Sequence, residues 1–417
     1  MSRWQWIWSR ITRRLWLRAT LIGLLGVATA ILAAVVERFI PWQLPGAIAA
    51  NSVDNLLNII ASSMLAVTTF SLSVATSAYG SATTNVTPRA TRLLMEDRLT
   101  QNVLSTFVGS FLFAIVGIIM LTTGAYGDRG RLVLFAATIG VVALIVVTLL
   151  RWIDHLTRLG RVGDTNQRVE DATRRAIVGR QTAPWLGGHP LPDGAPALPH
   201  AITGRKIGYL QHIDMAHLSD WAEDKGARVH VARIPGAFIF PHTVLARTDI
   251  APDEDDDLAA AFTIEAERSY DQDPRFGLVV MAEIASRALS PAVNDPGTAI
   301  DIIGRCSRLL ALWGEDPTAD EIAHPAVFVP PITDDDMLAD AFGPIARDGA
   351  AVIEVQLRLQ KTLAALSVMG RPTFSAAAAR QSDLALSRAL AAMEFAPDQA
   401  RVTAAASAVA PGRPLGS

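Results

Sequence analysis

Hydrophobic and polar positions divide the chain near Arg151. Before that point lie four long apolar runs, at about 15–36, 56–78, 103–123 and 132–150. A hydrocarbon layer ~30 Å thick is crossed by about 20 apolar residues in a helix, so each run predicts a membrane-spanning helix. After Arg151 the pattern shortens into strand-like and helix-like segments that carry nearly all the Asp and Glu. The predicted fold is an α-helical membrane domain of four transmembrane helices followed by a cytoplasmic α+β domain. In residue numbers this gives a membrane domain over 1–150, a juxtamembrane helix with a Pro/Gly-rich linker over 151–200, an α+β domain over 201–370, and an Ala-rich helical tail over 371–417 that frays at its end.

The first run has a basic flank (Arg10, Arg13, Arg14, Arg18), as a signal peptide would. Its apolar stretch is longer than the roughly 7–15 residues of such a peptide, and Glu37-Arg38 stands where small residues should mark cleavage. A retained span fits better, with Trp4, Trp6, Trp8 and Trp16 at the lipid headgroups. Arginine counts set the orientation. Arg3, Arg10, Arg13, Arg14 and Arg18 precede the first span, Arg89, Arg92 and Arg98 lie between the second and third, and Arg151, Arg158, Arg161 and Arg168 follow the fourth. The remaining loops offer Arg38, and Arg129 with Arg131. Both termini are therefore expected on the cytoplasmic side of a multi-pass protein.

The second run differs from the others. At 100° per residue, Asn51, Asn55, Asn58, Ser62, Thr69, Ser73 and Thr76 share one stripe, and much of the remaining surface is apolar, although Ser63, Thr68, Ser71 and Ser77 lie off the stripe. A polar stripe does not face lipid cheaply, because hydroxyls and amides need partners. Two readings fit it. In one, the helix lines a pore or cavity, with Asn55, Asn58, Ser62, Thr69, Ser73 and Thr76 on the path. In the other, the stripe supplies hydrogen bonds between helices. The third run places Ser105, Gly109, Ala114 and Gly117 as small-residue packing positions. No ionisable side chain falls deep inside a run, which disfavours a proton-driven transporter and leaves a hydroxyl-lined channel open.

In the second half, 208–213 reads as a strand, 215–224 as a helix, and 228–234 and 238–247 as two strands, together a small β-α-β-β unit. The segment 183–199 reads as a loop, and the acidic run 253–257 as the solvated start of a helix. Asp273-Pro274 and Asp295-Pro296 each read as an N-cap followed by proline in the first turn. They open two helices, joined by the tight connection that holds Ser290, Asn294 and Asp295. A further α/β stretch is expected over 334–360.

Composition narrows the function classes. Of 417 residues, 18% are charged, against roughly 25% in soluble domains. A net charge of -3 argues against a nucleic-acid partner. The single cysteine, Cys306, excludes an internal disulfide framework and a multi-cysteine zinc site. The chain has no Walker A loop, G-x-G-x-x-G, H-E-x-x-H, C-x-x-C or G-x-S-x-G motif. We therefore expect no enzyme, no cofactor and no catalytic residues. Four histidines, His212, His217, His230 and His242, fall within the β-α-β-β unit. Scattered histidines account for them more simply than a metal site does.

Two stretches carry a family resemblance. One runs from Thr87-Pro88-Arg89 through Asn102-Val103-Leu104 to Thr106-Phe107-Val108-Gly109. The other joins Asp273-Pro274-Arg275-Phe276-Gly277-Leu278 to Arg287-Ala288-Leu289-Ser290-Pro291-Ala292-Val293-Asn294-Asp295-Pro296. Together they resemble the bacterial predicted membrane proteins grouped as domain of unknown function 2254. Here Ala292 and Val293 replace the Gly-Ile expected in that core. The resemblance implies a bacterial plasma (inner) membrane location and assigns no catalytic residues.

The sequence thus points first to a channel or transport-like protein in the lipid bilayer. It would be a homo-oligomer that passes a small ion or answers a ligand, with the cytoplasmic domain assembling or gating it. The alternative is a membrane-anchored sensor or scaffold whose cytoplasmic domain binds a ligand or protein. An enzyme built on the Ser290–Asp295 loop or on the histidines is a third reading, and the Asp-Pro caps explain that loop without catalysis.

Overall fold

The computed structural model describes residues 15–36, 50–253, 256–318 and 322–409. The expectations placed on Trp4, Trp6, Trp8, Arg3, Arg10, Arg13, Arg14 and Arg38, on the side chains of Trp16, Arg18 and Asn51, and on the frayed end beyond Pro411 lie outside the described residues and side chains. The described chain falls into two compact units, one within Ile7–Thr165 and one from Asn166 onward.

The first unit is helical: α1 (Leu15–Val36), α2 (Ala50–Asn85), the short α3 (Pro88–Met95), α4 (Arg98–Thr122) and α5 (Asp128–Leu156). Helix α4 packs against α1, α2 and α5. Its small residues allow this. A Cβ on Gly109 would lie 3.0 Å from the Ile22 carbonyl oxygen, and one on Gly26 would lie 2.6 Å from the Gly109 carbonyl oxygen. Helices α1 and α4 therefore meet backbone to backbone. Gly117 opens toward Leu57 of α2, and Ser105 and Ala114 are buried. These are the small-residue positions expected in the third apolar run. Asp97 caps α4 by accepting from the Thr100 amide at 2.8 Å, and its carboxylate lies 3.0 Å from Nε2 of His155 near the end of α5.

Among the described residues, three stretches are long and apolar enough to cross a membrane: Ser52–Thr84, Arg98–Thr122 and Gly130–Leu156. The apolar stretch described in α1, Ala19–Leu32, is shorter. The single helix expected after the fourth run is interrupted. It ends with α5 and restarts as α6 (Val162–Thr182), with Gly160 between them at a φ of +78° and pressed against Ala78.

In the second unit, five strands form a sheet in the order β1-β8-β4-β6-β2 and three form a sheet in the order β5-β3-β7. The strands are β1 (His189–Pro190), β2 (His200–Thr203), β3 (Gly208–Ile213), β4 (Val229–Val231), β5 (Phe238–Ile239), β6 (Val244–Thr248), β7 (Phe262–Glu265) and β8 (Val327–Val329). Helix α7 (Met215–Lys225) joins them, and Leu210, Leu218, Val229, Val231, Leu245 and Val327 bury together. The strand expected over 238–247 is two strands, β5 and β6, in different sheets. The chain turns between them, with His242 at a φ of +67°. The expected β-α-β-β unit is thus divided between two sheets. The acidic run leads only into a 3-10 turn, Leu258–Ala261. Asp253 pairs with Lys225 at 2.7 Å, and Asp256 accepts from Trp221 Nε1 at 2.8 Å.

The rest is a helical bundle of α8 (Pro274–Ala288), α9 (Pro296–Gly314), α10 (Asp334–Asp348), α11 (Ile353–Ser367), α12 (Pro372–Ala392) and α13 (Ala396–Ala406). The stretch expected to be α/β over 334–360 is wholly α10 and α11 with a turn between. Thr333 caps α10, and Asp334, Asp335 and Asp336 fill its first turn, where the helix dipole favours acids. Asp273 and Asp295 are the N-caps of α8 and α9, as their Asp-Pro pairs predict.

Candidate functional site

The polar stripe of α2 is turned away from its own unit. Val53, Leu57, Ile60, Met64 and Ala75 of α2 are buried, whereas Asn55, Asn58, Ser62, Thr69, Ser73 and Thr76 are all exposed. The i, i+3, i+4 spacing of the apolar set puts it on one side of the helix and leaves the polar set on the other. Exposed apolar side chains flank the stripe: Leu65 and Leu72 on one side, Ile59 and Phe70 on the other. Donors of four stripe residues turn back on their own helix. Ser62 donates to the Asn58 carbonyl at 2.8 Å, Thr69 to Leu65 at 2.7 Å, Thr76 to Leu72 at 2.9 Å, and the Asn58 amide to Asp54 at 3.0 Å. Among the described residues, none of the six stripe residues hydrogen-bonds to another helix. What the stripe presents outward is hydroxyl and amide oxygen, which suits weak contact with water or a cation.

The loop candidates sit in the exposed turn from α8 to α9. The Ser290 hydroxyl donates to the Arg287 carbonyl at 2.7 Å. Asn294 has a φ of +50°, a conformation asparagine tolerates better than most residues. Asp295 accepts from the Thr298 amide at 3.0 Å and from its hydroxyl at 2.6 Å. These bonds hold the Asp295 carboxyl below the usual carboxylate range. The Ser290 hydroxyl and the Asp295 carboxylate thus both serve to turn the chain.

The histidines stand apart. His212 is buried on β3, His217 is exposed on α7, His230 lies on β4 with its ring against Phe328, and His242 is exposed in the β5–β6 turn. Among the described residues, no three His, Cys, Asp or Glu side chains are grouped to hold a metal ion. Cys306 is buried on α9, with its thiol pushed up to about 12 by burial.

The fold also gathers residues that no local motif marks. Arg180, Trp185, Trp313, Asp334 and Arg371 come from three helices, a loop and the N-cap of α12, and line one cavity of about 540 Å³ in the second unit.

The sequence model of the family described as predicted membrane protein (DUF2254) matches residues 12–365. The chain belongs to this family. The match takes in the apolar helices of this DUF2254 protein, the polar stripe, both sheets and the bundle as far as α11. An uncharacterized protein of Mycobacterium tuberculosis strain H37Rv is 28% identical over 267 residues, which cover 58% of this chain and 48% of that protein. An uncharacterized protein of Mycobacterium bovis shows the same identity and coverage. The DUF2254 chain thus spans about half the length of the curated relatives it matches. No solved structure matches it significantly.

Proposed function

We propose that this DUF2254 protein is an oligomeric channel or transport-like protein of the bacterial inner membrane. Four spans, α1 included, cross the bilayer, and both termini are cytoplasmic. Copies assemble so that the α2 stripes face a shared water-filled path, and the second unit, on the cytoplasmic side, assembles or gates it. The protein performs no catalytic step.

The observation that carries this reading is the exposure of Asn55, Asn58, Ser62, Thr69, Ser73 and Thr76 on the side of α2 opposite its buried apolar face. Facing lipid, their oxygens lose water without gaining partners, which is unfavourable even after the donors bond within the helix. Facing the same stripe in other copies, they line water, while Leu65, Leu72, Ile59 and Phe70 supply apolar contacts to neighbours and lipid. Interhelical hydrogen bonding within one subunit, the competing reading of the stripe, does not account for side chains turned outward.

The test is ion flux from proteoliposomes that hold the full-length protein, beside Thr69→Leu and Ser73→Leu. Flux lost in both variants, with oligomer size unchanged, supports the α2 path. Verified oligomers that pass none of a panel of monovalent and divalent ions would overturn it. That outcome would favour the membrane-anchored sensor or scaffold, a reading the cavity of the second unit supports.

A further inference from the structure

The cavity of about 540 Å³ in the second unit falls in the size range of small-molecule sites, about 300–1,000 Å³. Its wall mixes three arginines and two aspartates with tryptophan, proline and isoleucine. The charges are not equally matched. Arg371 pairs with Asp334, which also accepts from Trp313 Nε1 and Thr373 Oγ1, each at 2.8 Å. Arg380 forks onto Asp335 at 2.8 and 2.6 Å. These pairs commit both aspartates, so the wall offers no free carboxylate for a cation.

Arg180 is the exception. It is only 4% exposed, and its guanidinium donates to two backbone carbonyls, Gln272 at 3.0 Å and Pro184 at 3.4 Å. Among the described residues, no carboxylate lies within ion-pair distance of it. Asp273 acts on it electrostatically but is itself bound to Arg268 at 2.7 Å. Burial lowers the Arg180 pKa to about 10, so the group stays charged at neutral pH. A guanidinium has five N–H donors in a planar fork that matches an oxyanion, and the carbonyls take two of them. A buried cation in no direct ion pair, with donors to spare, therefore lines a preformed cavity. Beside it, Trp185 and Trp313 give the cavity an apolar surface.

We propose that this cavity binds a small organic anion, with its oxyanion group on Arg180 and its apolar body against Trp185 and Trp313. The inference goes beyond the conduction reading and does not depend on it. The Arg371–Asp334 pair joins the start of α12 to the start of α10, and Arg371 also donates to the Trp313 and Glu315 carbonyls at 2.8 and 3.0 Å. The wall is thus set before the ligand arrives, which keeps the ordering cost of binding low.

The experiment titrates the full-length protein in detergent with benzoate and phenyl phosphate, using benzamide as a neutral counterpart, and follows binding by calorimetry. Saturable binding of one anion is expected, with benzamide about tenfold weaker or worse. Arg180→Met should weaken the anion by a similar factor. Ala376→Trp, an exposed position on the wall, should block the cavity without touching Arg180, and it serves if Arg180→Met does not fold. Three results would overturn the proposal: no saturable binding of either anion up to about 10 mM, benzamide binding as tightly as benzoate, or binding that both variants leave unchanged.

Discussion

Thr173 occupies the space a side chain at Gly277 would need: a Cβ built on Gly277 would lie 1.8 Å from the Thr173 hydroxyl oxygen and 2.7 Å from its Cβ. Helices α6 and α8 therefore touch backbone to side chain within the D-P-R-F-G-L stretch. The Thr173 hydroxyl is fixed by its bond to the Val169 carbonyl at 2.6 Å, so it does not swing aside freely. Gly277→Ala should cost about 2–3 kcal/mol, at the upper end of overpacking effects. Thr173→Ala should not rescue it, because the Cβ clash remains. Gly304→Ala on α9 and Gly343→Ala on α10, where a Cβ meets nothing within 4 Å, should be neutral or stabilising by up to about 1 kcal/mol. Chemical unfolding of the four variants checks the contrast, and equal midpoints for Gly277→Ala and Gly304→Ala would refute it.

Glu170 of α6 is buried and receives two arginines from α9, Arg305 at 2.8 Å and Arg308 at 2.7 Å. Removing its charge strands Arg305, which is itself largely buried. Asp301 also pairs with Arg305, so the loss is partly offset. Glu170→Gln should therefore destabilise by about 3 kcal/mol, the low end for breaking a buried pair. Arg308→Gln removes a half-exposed partner and should cost less than about 1 kcal/mol. If the two variants unfold at the same denaturant concentration, the burial of Glu170 is not what sets the cost of breaking the cluster.

Cys306 is buried, and its thiol is pushed up to about 12. The native chain should therefore resist thiol reagents until it unfolds, which makes introduced cysteines readable. In membranes, Thr69→Cys and Ser73→Cys should react with a charged, water-soluble thiosulfonate, whereas Leu57→Cys and Met64→Cys on the buried face of α2 should not. Labelling at the stripe places water there. Silence at both stripe positions, with labelling restored in denaturant, would place the stripe against lipid or protein.

Features set by local spacing were legible in the sequence. The apolar runs needed only length, the caps at Asp273 and Asp295 needed only the next residue, and the α2 stripe needed only helical period. Which way the stripe faces depends on where Leu57 and Met64 find partners, and packing alone decides that. The sheets were read less well, because their pairings are long-range. Strand β3 pairs with β7, and β4 with β8, across intervening helices. The two-residue strands β1 and β5 are too short to show a period. The cavity was invisible for the same reason: Arg180 and Arg371 share no motif and meet only when α6 and α12 fold against α9 and α10.

Asp295, a loop candidate from the sequence, is best tested as a cap. Its carboxylate accepts from the Thr298 amide and hydroxyl, and those bonds lower its pKa below the ordinary value. A carboxyl with a depressed folded-state pKa adds stability that is present above its unfolded value, about 3.9. That stability is lost as pH falls through the lower folded value. Asp295→Ala should cost about 1 kcal/mol at pH 7, the usual worth of an N-cap. The difference between variant and native protein should shrink as pH drops below about 4. Ion flux should be unchanged at pH 7, because the Asp295 carboxylate is engaged in capping α9. A flux defect in a variant that still folds would give the Ser290–Asp295 loop a functional role beyond the turn. A stability difference that stays constant from pH 7 to pH 3 would mean the charged carboxylate is not what caps α9.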